Sequence, residues 1–312
     1  MLPSSILEIF RCLHCKKSLV EQDIGLRCSG CGCLHPFING TYKFVDAEQY
    51  AASFGFQWQV YDKTQLDNGQ SQRTEQNFRE NTDFTPEELR GKLILDVGCG
   101  IGRHADVATR WGAHVVGIDL SLASEVAARN LKDRATATFL QANVFSLPFA
   151  PESFDYIYSI GVLHHTPDCE LAFKSLVPLL KPGGKISIWL YSAYNPYYKF
   201  SDVYRKLTSR LPPRVLLSLC QIAGPLHYLH LGLRKIPIFG RLTSGAIQHF
   251  LPISQNPDWE WRVLDTFDWY SPVYQSKHTY EEVFRWFEQT GLEARVLHSP
   301  IGIQGRRPIS RV

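Results

Sequence analysis

The stretch 92–104 constrains this chain more than any other. It reads Lys92-Leu93-Ile94-Leu95-Asp96-Val97-Gly98-Cys99-Gly100-Ile101-Gly102-Arg103-His104. An apolar run of strand length meets an acid, then three glycines at alternate positions. Glycine tolerates positive φ and lets a ligand approach the backbone closely, so the spacing predicts a tight turn from strand to helix. A helix that starts there aims its positive end at whatever the turn holds, and the backbone amides come close to it. This is the turn of a nucleotide-bearing cofactor. The dinucleotide pattern G-x-G-x-x-G does not match, because Arg103 stands where its last glycine belongs. Asp96 before the first glycine repels a pyrophosphate and suits a cationic amino group.

Strand and helix patterns alternate from 92 to 191, which predicts a parallel sheet covered by helices on both faces. A second strand spans 114–120 and carries Asp119, about twenty residues beyond the turn, where an acid can accept both hydroxyls of a ribose. A third spans 138–143 and leads through Asn143, Val144 and Phe145. The fourth opens into a loop at the carboxyl edge of the sheet, where open α/β sheets bind ligands. Thr166-Pro167 can start the next helix. Lys181-Pro182-Gly183-Gly184 turns it into a fifth strand, 185–191. Thr85-Pro86-Glu87-Glu88 is a capping box with proline at the first helical position, and Thr279-x-x-Glu282 is another. The second box starts a late helix that Gly291 stops, and 292–298 and 301–306 read as closing strands.

In these segments, taken in order, the chain resembles the class I S-adenosylmethionine-dependent methyltransferases, whose first motif reads hydrophobic-D-x-G-C-G-x-G. The second block of resemblance is Ser153-Phe154-Asp155-Tyr156-Ile157-Tyr158-Ser159-Ile160-Gly161-Val162-Leu163-His164-His165-Thr166-Pro167-Asp168. The resemblance implies an α/β fold: a doubly wound, mostly parallel seven-stranded sheet whose last strand enters antiparallel. It implies S-adenosyl-L-methionine as cofactor, contacted by Asp96, Gly98, Cys99, Gly100, Gly102, Asp119, Leu120, Asn143, Val144 and Ile160. Asp119 would grip the ribose. Asn143 departs from the aspartate that the family usually places near the adenine, but an amide oxygen can accept the same hydrogen bond. Phe145 would lie against the adenine face. His165 and His164, on the loop near the methyl group, are the candidate bases. His278, Tyr270 and Tyr274 are further candidates.

Five of the eight cysteines fall between positions 12 and 33. Cys12-x-x-Cys15 and Cys28-x-x-Cys31 form two knuckles twelve residues apart, the sulfur set that tetrahedral zinc prefers. Cys33, His14 and His35 are spare ligands. The segment 10–45 resembles the small zinc-ribbon family that includes activators of tRNA and protein methyltransferases, through Arg11-Cys12-Leu13-His14-Cys15, Leu26-Arg27-Cys28 and His35-Pro36-Phe37-Ile38-Asn39-Gly40. A structural Zn2+ is the implication. The expected organisation is a small zinc ribbon over 1–45, a linker with helices over 46–91, and the catalytic domain over 92–312 with a helical insertion at about 192–278. Phe54, Phe56, Trp58 and Tyr61 precede the first motif, where aromatics can cover the cofactor or join the two units. The insertion mixes leucines and aromatics with Arg214, Arg234, Lys235 and Arg241 over 211–242, then gathers Trp259, Trp261, Phe267, Trp269, Tyr270 and Tyr274.

A net charge of +3 does not require nucleic acid as a partner. No segment is apolar enough to cross a bilayer, and residues 1–10 lack a leader pattern, so a cytoplasmic location is expected. The leading reading is a methyltransferase acting on a small or lipid-linked metabolite. Two alternatives are RNA methylation with the ribbon gripping the nucleic acid, and a cofactor-binding scaffold or regulator without turnover. Peripheral contact with a membrane through the insertion is a further expectation.

Overall fold

The computed structural model describes residues 2–47, 49–68, 72–194, 198–236 and 239–309; the side chain of Arg241 and residue Met1 lie outside the described residues. Eleven strands form one sheet. They are β1 (Leu19–Gln22), β2 (Gly25–Cys28), β3 (Leu34–Ile38), β4 (Thr41–Lys43), β5 (Leu93–Val97), β6 (His114–Asp119), β7 (Ala137–Gln141), β8 (Phe154–Ile160), β9 (Leu180–Trp189), β10 (Glu293–Val296) and β11 (Gly302–Arg306). Their spatial order is β1-β2-β3-β4-β7-β6-β5-β8-β9-β11-β10.

The middle of this sheet is parallel. Ile94 pairs with Val115, Val116 with Thr138, Leu95 with Ile157, and Ile157 with Ile186. Four of the five residues in β5 are buried, as expected for a strand covered on both faces. β11 runs antiparallel between β9 and β10. The chain steps from β5 to β6 on one side and to β8 on the other. The order reverses there, and a crevice opens at the carboxyl ends of those strands.

Where seven strands are expected, the sheet has eleven among the described residues. β4 adds in parallel to β7, with Tyr42 opposite Leu140. The N-terminal segment thus continues the sheet through β4. It also shares the core: Phe10 packs on Phe149 and Phe44 at centroid distances of 5.6 and 6.1 Å. Lys43 reaches Glu125 and Gln141. The physical reason is that β7 would otherwise end the sheet with a row of unpaired backbone groups.

The helix after β8 starts two residues later than Thr166-Pro167 suggests. Asp168 caps it by accepting from the amide of Leu171, so the helix is Cys169–Leu176. Both capping threonines act as expected: Thr85 accepts from Glu88 N, and Thr279 from Glu282 N. The described residues of 192–278 carry five helices: Tyr198–Thr208, Pro213–Cys220, Ala223–Arg234, Phe239–Phe250 and Trp259–Tyr270. The last of these is the pivot. Val263, Leu264 and Phe267 form a small core with Leu216, Cys220 and Tyr61, and Phe56 packs against it. That core holds the insertion and the segment before β5 together over the crevice.

Candidate active site

The glycine turn is tied down before any ligand arrives. The amides of Gly98 and Cys99 both donate to the carbonyl of Ile118, at 2.8 and 2.9 Å, and the amide of Gly100 donates to Asp119 Oδ2 at 3.1 Å. These three donors, expected to face a ligand, are instead engaged by the end of β6. Asp119 Oδ1 accepts from the amide and hydroxyl of Ser121 at 2.9 and 2.7 Å. Burial raises the Asp119 carboxyl above its ordinary range, and the Ser121 and Gly100 donors pull it back. Gly98 has φ +77°, and a Cβ there would stand 2.4 Å from Val162. Gly102 serves packing: its Cβ would meet Leu131 at 2.9 Å.

A cavity of about 340 Å³ opens beyond the turn. Among the predicted residues, Gly98, Cys99, Gly100, Asp119, Leu120, Val144, Ile160 and His165 line it; Asp96, Gly102, Asn143 and His164 do not. Asp96 is 2 % exposed, and its Oδ2 has no hydrogen-bond partner. Burial pushes its carboxyl up to about 7; the neighbouring Tyr158 hydroxyl opposes this and Asp119 adds to it. Asn143 directs its amide oxygen to the backbone of Phe145 at 3.0 Å. Phe145 itself packs into the main core.

The two histidines have different fates. His164 is fully buried, stacks on Tyr191 at 3.9 Å, and has no partner for either ring nitrogen. Burial drives its pKa far below the usual range. His165 faces the cavity, and its Nδ1 lies 3.0 Å from the carbonyl of Tyr274. A carbonyl only accepts, so Nδ1 carries the hydrogen and Nε2 is the free acceptor of the neutral ring. Burial lowers the pKa of His165, while Asp268 works against this. The other candidate bases lie off the cavity wall. His278 is held by Ser276 and Glu282, and the Tyr270 hydroxyl donates to the carbonyl of Pro252.

Three groups of lining residues escaped the sequence reading. Arg103 enters from the helix Arg103–Arg110, next to the glycine turn. Gln57 and Gln65 line the wall opposite; they are 2 % and 7 % exposed, and both Oε1 atoms lack a partner. Leu264, Asp265 and Asp268 join Trp261, already singled out among the insertion's aromatics, in completing the wall from the insertion's last helix. Their spacing of three, four and seven residues is one helical face, and that signal was legible in the sequence. Asp268 accepts from the Tyr191 hydroxyl at 2.8 Å. Burial, reinforced by Asp268, pushes the Asp265 carboxyl up to about 7. Of the upstream aromatics, Phe54 and Trp58 face the cavity, whereas Phe56 and Tyr61 join the insertion's core.

The N-terminal cysteines converge separately. The Sγ atoms of Cys12, Cys15, Cys28 and Cys31 all lie within 4.8 Å of one another; Cys12 and Cys31 are 3.6 Å apart, Cys15 and Cys28 3.3 Å. A zinc ion with ~2.3 Å bonds to four sulfurs spaces them about 3.8 Å apart, so the donor set and its size fit. The backbone amides of Cys31 and Gly30 point at Cys28 Sγ and help lower its thiol to about 6. Cys33, His14 and His35 stand outside the cluster.

Residues 95–188, from the first strand of the turn to the end of β9, match the family model described as a methyltransferase domain. The match covers 94 of the 312 residues. The chain is 37 % identical over 129 residues to phosphoethanolamine N-methyltransferase 2 of Caenorhabditis elegans, covering 39 % of this chain and 28 % of that protein. It is 40 % identical over 106 residues to O-methyltransferase rstn1 of Aspergillus nomiae, covering 32 % and 47 %. It is 30 % identical over 125 residues to sterol 24-C-methyltransferase ERG6 of Saccharomyces cerevisiae, covering 38 % and 32 %. The chain thus spans less than half the length of each of these relatives.

Proposed function

We propose that the chain transfers a methyl group from S-adenosyl-L-methionine to a small or lipid-linked acceptor. The observation that carries this reading is Asp119, fixed at the tip of β6 and facing a cavity bounded by the glycine turn. A carboxylate at this place can accept ribose hydroxyls, Oδ2 through its remaining lone pair and Oδ1 in exchange for the Ser121 hydroxyl. The turn residues Gly98, Cys99 and Gly100 would hold the cofactor with Leu120, Val144 and Ile160 around its nucleoside. Arg103 can pair with a carboxylate. When bound, the cofactor supplies a methyl carbon activated by sulfonium, ready for in-line displacement. The protein aligns the acceptor and relieves it of its proton. His165 does the latter through Nε2. Helices and aromatic side chains enclose the acceptor side. A small or lipid-like acceptor agrees with two relatives whose names specify phosphoethanolamine and a sterol. The four cysteines would hold a structural zinc that stiffens the sheet extension.

The test is calorimetry with S-adenosylhomocysteine, then incubation of labelled cofactor with metabolite, lipid and RNA extracts. Binding by the native chain and label in the metabolite or lipid fraction is the expected result. Label in RNA alone would overturn the acceptor assignment, and no binding would overturn the enzyme. Chelation should lower the melting temperature and release one zinc per chain.

A further inference from the structure

The insertion carries its own charge and its own apolar surface. The 55 residues from 203 to 257 contain seven Arg or Lys and no Asp or Glu. The whole chain is only +3, so the remainder is net negative, at −4. Lys206, Arg210, Arg214, Arg234 and Lys235 are exposed, and among the described residues no carboxylate pairs with them. Asp202, just before this segment, is already engaged by Arg205 and Lys277.

Apolar side chains crowd the same segment. Twelve of the 24 strongly exposed large apolar residues among those described fall within 203–251, less than a sixth of the chain. They follow helical spacing. Val203 and Leu207 are four apart, and Val215, Leu219 and Ile222 are spaced four and three. Leu207 and Leu242 are each 69 % exposed. A helix that packs on the domain normally turns a polar face outward. These helices bury one side against the Trp259–Tyr270 helix and show leucines on the other. Exposed apolar surface of this extent marks an interaction site.

We infer that the helical insertion docks on the surface of an anionic lipid bilayer. Charge complementarity selects this occupant. A basic rim without acids is drawn to negatively charged headgroups, at about 1 kcal/mol for each Lys or Arg near the surface. The leucines between those charges reach the acyl boundary, the arrangement of interfacial helices. RNA would use the charges and leave the leucines in water. The segment lies on the bilayer and does not span it: among the described residues no helix is long and apolar enough to cross. The docking face belongs to the helical layer that carries Trp261, Asp265 and Asp268, so a docked molecule has its cavity one helix from the lipid surface. This inference is independent of which acceptor is methylated.

The test is co-sedimentation of the full chain with phosphatidylcholine vesicles and with vesicles that also contain phosphatidylglycerol. Binding to the mixed vesicles should be at least tenfold tighter and weaken with salt. The pair Leu207→Glu and Leu219→Glu should abolish it while leaving S-adenosylhomocysteine affinity unchanged. Arg234→Gln and Lys235→Gln, which disturb no packing, should each weaken it about fivefold. Three results would overturn the inference. One is equal or absent binding on the two vesicle types. Another is undiminished binding by both sets of variants. The last is light scattering that shows a dimer split into monomers by the leucine substitutions, which would give the face to a second copy of the chain.

Discussion

The two walls of the cavity are built by opposite strategies. On the sheet wall the glycine turn is satisfied internally: the amides of Gly98, Cys99 and Gly100 and both oxygens of Asp119 have protein partners, and Trp189 Nε1 on β9 is the unpartnered lining group there among the described residues. The helical wall is less satisfied. Gln57 and Gln65 line it while burying unpaired amide oxygens, and burial pushes the Asp265 carboxyl up to about 7. A buried polar group without a partner costs roughly 1–3 kcal/mol. The sheet wall is thus rigid and complementary to one fixed ligand. The helical wall retains unmet acceptors, which a donor-bearing acceptor molecule would reach by a turn of the Gln57 or Gln65 side chain. One chain can keep its cofactor constant and tune its substrate, because the two tasks fall on different elements.

His165 stands at the seam of the two walls, and its replacement should have the largest effect. His165→Ala should lower kcat by about 10²–10⁴ and leave cofactor affinity nearly unchanged. The wild-type rate should rise with pH through a pKa below the ordinary 6.5 of histidine, because burial disfavours the charged ring. It should then stay flat, and the rising limb should vanish in the variant. A neighbouring control sharpens this. His164→Phe keeps the stacking on Tyr191 and should change kcat little, since His164 does not reach the cavity. Equal losses in the two variants would mean that the loop acts only as a packing element.

Next in size is the sheet wall itself. Asp119→Ala removes the acceptor of Gly100 N and Ser121 N and the expected grip on the ribose. Cofactor affinity should fall roughly 100-fold, the worth of two charge-assisted hydrogen bonds. Titration calorimetry reads it directly. Unchanged affinity would break the distinction between the walls at its stronger end.

How much of this was legible in the sequence follows the same division. The β5 turn, Asp119 and the order of strands were readable because local chemistry dictates them: an apolar run, a glycine spacing, an acid at a strand end. The cysteine set was readable for the same reason. Asn143 was misplaced because a short polar side chain can always fold back on its own backbone, and here it holds Phe145 N instead of facing the crevice. The merging of the cysteine segment with the sheet depended on β4 meeting β7, a pairing between residues about a hundred positions apart that no local pattern encodes. Asp265 and Asp268 share a legible helical spacing with Trp261, but the aromatics around them read equally as core, so the spacing alone does not mark the face that meets the cavity.

The helical wall gives a third test, through pH. The folded Asp265 carboxyl titrates near 7, above the ~3.9 of an unfolded chain, so folding favours its protonated form. Its contribution to stability is fully present below about pH 4 and is lost as pH rises through 7. Asp265→Asn cannot lose it. The variant should match the wild type at pH 4 and exceed it by roughly 2 kcal/mol at pH 8 in denaturant unfolding. A stability difference independent of pH would show that this carboxyl is solvated, and the contrast between the walls would shrink to geometry.

The smallest effect concerns Gln57. Its Oε1 is buried and unpartnered, so an apolar replacement of similar size removes a penalty from the ligand-free protein. Gln57→Leu should stabilise the empty chain by about 1 kcal/mol, or about 2 °C in melting temperature for a protein of this size. The same change should raise KM for the acceptor while leaving cofactor affinity intact, because the lost group belongs to the helical wall. Stabilisation together with weaker acceptor binding is the signature of a polar group kept for function at the expense of stability. If Gln57→Leu instead weakened cofactor binding, the helix Ala52–Val60 would belong to the cofactor's side of the cavity, and the boundary between fixed and adaptable walls would run behind Trp58.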